Sequence, residues 1–299
     1  MQEVSVNGQK YKYVTNYKDN KEIRDSFNQL TRSTYNFDFE AWYQSGYWGA
    51  GYVPYSLLKD NKVVANASVN IIDFLILGEK KRYLQIGTVM TDKAFRNLGL
   101  SRFLMEMILE EWEGKCDLIY LFANDSVLDF YPRFGFKAIN EYECTLPVTF
   151  KELKSNVQKL NMSIIDNRRL LFDMASNSNT FSKISMLGNA ELVLFYCTSF
   201  RSENVFHLPD YNTIVVAEFN EDTCYIQDIF SPDHVSLPAI TAAIISKDIK
   251  KVVIEFTPAD DSLYEFNLLP RDNETLFVKP DIGAIFQKSK LRFPILSHA

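Results

Sequence analysis

The spacing of apolar and polar positions changes several times along the first 150 residues, and each change marks an element. Residues 11–15 alternate, which predicts a short strand, and Asp19-Asn20-Lys21-Glu22 supplies helix-start chemistry before Ile23, Phe27 and Leu30 at helical spacing. A second helical stretch over about 38–44 stops at Gly46, and the aromatic loop Tyr47-Trp48-Gly49-Ala50-Gly51-Tyr52 follows. Residues 53–58 and 63–77 flank the turn-rich Lys59-Asp60-Asn61-Lys62 and predict a hairpin, to which 83–91 adds a third strand. Leu100, Phe103, Leu104, Met107, Ile108 and Trp112 then form one apolar helix face, opposite Arg102, Glu106, Glu110 and Glu113, and Gly114 ends the helix. Residues 118–123 suit a buried strand. Asn124-Asp125-Ser126 can cap a further helix through Phe134, which Gly135 stops, and 136–146 predict closing strands. The order specifies a mixed α/β (α+β) domain over residues 1–148.

The second half is less regular. Residues 150–160 read as helical, while 164–172 fit either type of element. Residues 191–197, 213–219 and 225–230 read as a strand meander, with the turn Asn220-Glu221-Asp222-Thr223 between the last two. A helix-compatible stretch, 237–246, precedes a strand at 252–256. This order echoes the first half and predicts a second, smaller α/β domain over residues 149–299.

Composition narrows the function. A chain of 299 residues has room for two domains, and 46% hydrophobic against 23% charged residues excludes disorder. The apolar run from Ile71 to Leu77 is too short to span a bilayer and contains Asp73, so no membrane role is expected. The amino end lacks a basic patch followed by an apolar stretch, which predicts a cytoplasmic protein. Net charge is −6 and neither half is basic, which argues against a nucleic-acid partner. Four cysteines and three histidines, all scattered, predict neither disulfides nor a metal site.

Candidate chemistry sits between the third meander strand and the long helix, in Gly87-Thr88-Val89-Met90-Thr91-Asp92-Lys93-Ala94-Phe95-Arg96-Asn97-Leu98-Gly99-Leu100-Ser101-Arg102. The first turn of a helix has unpaired N–H groups and a partial positive charge, so a loop curled around it can cradle a phosphate. Small Gly99 and Ser101 allow close approach, and Arg96 and Arg102 add positive charge.

Arg96-Asn97-Leu98-Gly99-Leu100-Ser101 resembles the Q/R-x-x-G-x-G/A acyl-CoA pyrophosphate loop of the GNAT superfamily of N-acetyltransferases, with Ser101 in place of the final Gly/Ala. Thr88 to Thr91 resembles that family's fourth strand. Asn124 to Phe136 resembles its N-x-x-A-x-x-x-Y-x-x-x-G-F segment, and the element order over residues 1–148 also agrees. The resemblance implies acetyl-CoA as acyl donor, no metal, and a primary amine of a small molecule or peptide as acceptor. It further implies that Val89 and Thr91 bind pantetheine through their backbone and that an N–H near Val89 to Met90 stabilises the oxyanion. The amides of Arg96, Asn97, Leu98, Gly99, Leu100 and Ser101 would hold the pyrophosphate beside Arg102, and Asn124 would contact the pantetheine arm. Tyr131 takes the general-acid role, with Pro132 expected to bend the helix just beyond it. Trp42, Tyr43, Tyr47, Trp48 and Tyr52 fall in the stretch that borders the amine in the family. The family's strand-four glutamate has no counterpart in residues 83–91, which leaves the general base unassigned among Asp38, Glu40 or a water relay.

The second domain resembles a degenerate GNAT-like copy. Its corresponding loop, Ser231-Pro232-Asp233-His234-Val235-Ser236-Leu237-Pro238, lacks a glycine and is not expected to bind CoA. Its roles remain open between walling the acceptor site, supporting a homodimer and stabilising the first domain. The rival to an enzyme is a non-catalytic acyl-CoA-binding or regulatory protein.

Overall fold

A computed structural model describes residues 1–148 and 155–298. Strands β1 (Gln2–Val6) and β2 (Gln9–Thr15) form a hairpin around Asn7-Gly8, both at positive φ, and helix α1 (Lys21–Tyr35) starts where the Asn20 side chain accepts from the Ile23 N–H. After α2 (Glu40–Gln44), β3 (Tyr52–Lys59), β4 (Lys62–Ile76) and β5 (Glu79–Thr91) make the expected antiparallel meander. Helix α3 (Leu100–Trp112) crosses over to β6 (Leu118–Ala123), which runs parallel to β5, and β7 (Lys137–Ala138) and β8 (Tyr142–Pro147) follow.

The remaining elements are β9 (Gln158–Lys159), α4 (Ile165–Ser176), β10 (Ile184–Leu187), α5 (Ala190–Thr198), β11 (Val205–Leu208), β12 (Thr213–Asn220), β13 (Thr223–Phe230), α6 (Leu237–Ile244), β14 (Lys251–Ile254), β15 (Glu265–Leu268), β16 (Thr275–Lys279) and α7 (Gly283–Ser289). Two sheets result. The first has the order β1-β2-β3-β4-β5-β6-β16-β7, with β10 also on β4, and the second has the order β15-β8-β14-β13-β12-β11-β9. In the second sheet, β13, α6 and β14 repeat the parallel crossover of β5, α3 and β6, so both units are mixed α/β layers.

The sheets exchange strands. β16 pairs with β6 from Thr275 opposite Ala123 to Lys279 opposite Ile119, while β8 leaves the first half to pair with β14 and β15. Buried side chains of α1, α2, α5 and the segment near Phe293 cover one face of the first sheet, and α3 covers the other.

Three expectations are corrected. The helix expected from Asn124 through Phe134 is absent: the segment forms two short 3-10 turns, Asp125–Val127 and Tyr131–Phe134. Pro132 has no N–H to donate to the carbonyl of Leu128, and the chain closes instead through i→i+3 bonds such as Gly135 N–H to the Pro132 carbonyl. Residues 191–197, expected as a strand, lie in α5. That helix is buried on nearly all sides, with Leu192 and Phe195 toward the first sheet and Val193, Leu194 and Cys197 toward the second, so no amphipathic period announces it. The helix expected over 150–160 gives way to β9 at Gln158–Lys159, where pairing with β11 decides the conformation, and 150–154 lie outside the described residues.

Candidate active site

Strands β5 and β6 pair only through Tyr83–Leu118, Leu84–Ile119 and Gln85–Tyr120, then separate. The gap opens into a cavity of about 1250 Å³ whose walls come from both faces of the sheet. On the α3 side stand Tyr131, Phe130, Leu100 and the loop before α3. On the opposite side stand Phe37, Phe122 and His298.

A bulge shapes the β5 edge. Asn66 pairs with Met90 and Ser68 with Gly87, so Ala67 alone spans both Thr88 and Val89. Thr88 has a φ of +51°, an outlier for a β-branched residue. A buried polar chain holds it there. The Tyr17 hydroxyl and Ser56 Oγ lie 2.6 Å apart, Ser56 donates to Asn66 Oδ1 (2.8 Å), and the Asn66 amide donates to the Thr88 carbonyl and to Ser68 Oγ (both 2.9 Å). Tyr52 and Thr88 hydroxyls meet at 3.0 Å. At the next residue, the Tyr35 hydroxyl donates to the Val89 carbonyl at 2.8 Å, so a ligand amide donating there must share or displace that bond.

The end of the cavity expected to take an anion is the start of α3. Asn97 (φ +61°) and Gly99 (φ +80°) both adopt the left-handed conformation, which turns the chain into the helix and leaves first-turn amides without intrahelical acceptors. A Cβ on Gly99 would come within 2.9 Å of Asn7 Nδ2, whose amide holds the Leu98 carbonyl at 2.9 Å. The left-handed backbone favours glycine here, and a Cβ would also have to push aside the Asn7 amide of the β1–β2 turn, reasons separate from room for an anion. Thr91 and Ser101 hydroxyls meet at 2.8 Å, Arg96 Nε lies 3.4 Å from the Thr91 carbonyl, and Arg102 pairs with Glu106 in solvent at 2.8 Å.

Of the expected donor-site residues, Val89, Met90, Thr91, Arg96, Asn97, Gly99, Leu100, Ser101, Arg102, Asn124 and Tyr131 all line this cavity. Leu98 packs against the α3 core instead. Tyr131 is 6% exposed, with its ring edge-on to Phe130 and tilted on Phe277. Burial raises its pKa, so the phenol stays protonated at neutral pH.

The expected acceptor aromatics separate. Trp42 and Tyr52 line a second, smaller cavity that shares Phe37 and Thr88 with the first. Tyr43 bonds Asp19 under the Arg24 guanidinium, Tyr47 stacks on Phe172, and Trp48 is buried against Phe27, Phe39 and Trp42. These three do not line either cavity. Asp38 and Glu40 also stand apart, paired with Arg32 and Arg24 respectively, and the Arg24 hydrogen bond holds Glu40 below the usual carboxylate range.

The sequence assigned no chemistry to His298 or to the stretch around Glu274. Asp272, Asn273, Glu274 and His298 line the large cavity because β16 is inserted beside β6. His298 stacks on Phe122 with centroids 3.6 Å apart, and its Nδ1 lies 2.9 Å from Glu274 Oε1. That hydrogen bond lowers the Glu274 pKa, so the carboxylate is an acceptor and Nδ1 carries the hydrogen. Nε2 is shielded from bulk water and has no hydrogen-bond partner among the described residues. The segment behind it is fixed: Phe293 stacks on Tyr120 at 4.3 Å, its N–H donates to Glu141, and the Tyr120 hydroxyl donates to the Ser297 carbonyl.

Residues 18–136 match the sequence model of the acetyltransferase (GNAT) family. Over those residues the chain matches a GNAT-family acetyltransferase domain. Similar solved structures include a GCN5-related N-acetyltransferase from Kribbella flavida (12% identity, 90% of this chain and 71% of that one, TM-score 0.55) and a conserved protein of unknown function from Enterococcus faecalis described as a probable N-acyltransferase (12%, 92% and 74%, 0.58). Eis1 from Mycobacterium abscessus is similar at 12% identity over 89% of this chain and 72% of that one, with a TM-score of 0.55. These span both sheets and establish the fold. No functionally curated protein matches the chain. Acyl transfer is the general chemistry of the GNAT family.

Proposed function

We propose that the protein transfers an acetyl group from acetyl-CoA to a primary amine of a small molecule or peptide by direct attack in a ternary complex. The observation that carries this reading is the cavity between β5 and β6, which has a helix start with free amides at one end and both a bulged strand edge and a protonated phenol along its walls. The amides of residues 96–101 hold the pyrophosphate, Asn124 contacts the pantetheine arm, and the Val89 N–H at the bulge receives the developing oxyanion. The amine nitrogen bonds to the thioester carbon, the carbon–sulfur bond breaks, and the departing thiolate takes the Tyr131 proton. The acceptor comes from the face opposite Tyr131, where His298 Nε2, with Nδ1 tied to Glu274, takes the proton that the amine loses. Residues 1–148 form the catalytic unit, completed by β16 and the segment ending at His298. The rest of residues 149–299 is a degenerate GNAT-like unit: in its corresponding turn the Ser231 N–H is already bonded to Ser178 Oγ and Pro238 lies in the first turn of α6.

Release of free thiol from acetyl-CoA across a panel of amines tests this reading. Tyr131→Phe should lower kcat about 100-fold with CoA affinity retained. Binding of CoA without turnover on any amine would make this a regulatory acyl-CoA-binding protein, and absence of CoA binding would overturn the site itself.

A further inference from the structure

Beside the donor cleft lies a cavity of about 130 Å³ that the transfer chemistry does not require. Its walls include Phe39, Trp42, Tyr52, Leu192, Phe195 and Phe200. The rings are fixed by one another: Phe39 stacks on Phe195 at 5.2 Å, and Trp42 meets Tyr52 edge-on at 5.6 Å. Of the polar side chains on the wall, Trp42, Tyr52, Thr88 and Asn70 are already engaged, and the Tyr196 phenol completes the set. The Trp42 indole N–H donates to the Glu191 carbonyl (2.9 Å), the Tyr52 hydroxyl meets Thr88, and the Asn70 amide donates to Gln85 (3.1 Å). A polar or charged group entering this space would lose its water and find little in return.

An apolar cavity of roughly 150 Å³ is large enough to bind benzene. Phe37 and Thr88 belong to both cavities, and Thr88 precedes Val89 at the bulge, so the pocket opens next to the reacting centre. Its walls lie on the face of the first sheet opposite Tyr131 and α3. From this geometry we infer that the cavity holds the ring of the acceptor, so that the preferred substrate is a primary amine joined to a single aromatic ring by a short chain. The inference rests on the acyl-transfer reading for its orientation, and α5 of the second unit supplies Leu192 and Phe195 to the specificity pocket.

Equilibrium binding to the full chain loaded with CoA tests it without turnover. 2-Phenylethylamine should bind about 100-fold more tightly than propylamine, the advantage of burying one ring. Equal affinities overturn the inference. Leu192→Trp, which fills the cavity, should remove most of that advantage, and Leu192→Met, close in volume, should keep it. Phe200→Ala, at a half-exposed wall position, serves as a second variant should the tryptophan disturb folding, and should lower the advantage several-fold. A preference for benzoyl-CoA over acetyl-CoA with no preference between the two amines would assign the pocket to the donor and overturn the proposal. Selective ring binding without thiol release from acetyl-CoA would instead overturn the acyl-transfer reading and leave the ring site standing.

Discussion

At the residue scale, the least ordinary group in the cleft is His298. A buried imidazole nitrogen with no partner costs stability unless something else uses it, and here its other nitrogen is oriented by a carboxylate held ionised. If it takes the acceptor's proton, His298→Ala should lower kcat/KM about 100-fold near neutral pH. The defect should shrink as pH rises, because more of the amine then arrives neutral and hydroxide can take the proton that the nitrogen still loses on attack. A pH-independent loss would indicate a structural role only. Composition could not have revealed this residue: in the sequence His298 is one isolated histidine among three, and its partner Glu274 lies in a stretch with no motif.

At the scale of elements, the bulge in β5 depends on a single side chain. Asn66 donates twice and accepts once inside the sheet, and its bond to the Thr88 carbonyl holds a residue at a φ that a threonine disfavours. Asn66→Ala should destabilise the protein by about 2 kcal/mol, read by denaturant midpoint. It should also lower kcat more than CoA affinity, since in the proposed reading the pyrophosphate is held at the helix start, away from the bulge. Equal losses would detach the bulge from oxyanion stabilisation. Local elements of this kind were legible wherever the period was unambiguous: the meander β3-β4-β5 and the apolar stripe of α3 follow directly from alternation and 3.6-residue spacing. The bulge was not, because Asn66 and Ser68 read simply as polar residues in a strand. Nor was α5, whose apolar residues serve two cores at once and so have no polar face.

For the whole molecule, the exchange of β8 and β16 decides how the halves behave. The first sheet has β16 between β6 and β7, so among the described residues β7 has a neighbour only through a strand that begins more than 130 residues later. No periodicity in residues 1–148 can announce that pairing, and the sequence-based boundary there could not include it. Leu276, Phe277 and Val278 are each at most 3% exposed, and each fully buried apolar side chain contributes about 2 kcal/mol. Tyr120 and Phe122 likewise rest on Phe293 and His298. Residues 1–148 expressed alone should therefore fail to give a cooperative thermal transition, and acetyl-CoA binding should be lost with it. The full chain should unfold in one step, with probes in the two sheets giving the same midpoint within a degree or two. Trp112 on α3 reports the first sheet, once Trp42 and Trp48 are replaced by phenylalanine. A tryptophan placed at Phe219 on β12, which is half-exposed, reports the second after the same replacement at Trp112. Midpoints separated by 10 °C or more would mean that the strand exchange does not couple the units. The C-terminal wall of the cavity between β5 and β6 would then be able to come away without loss of the first sheet.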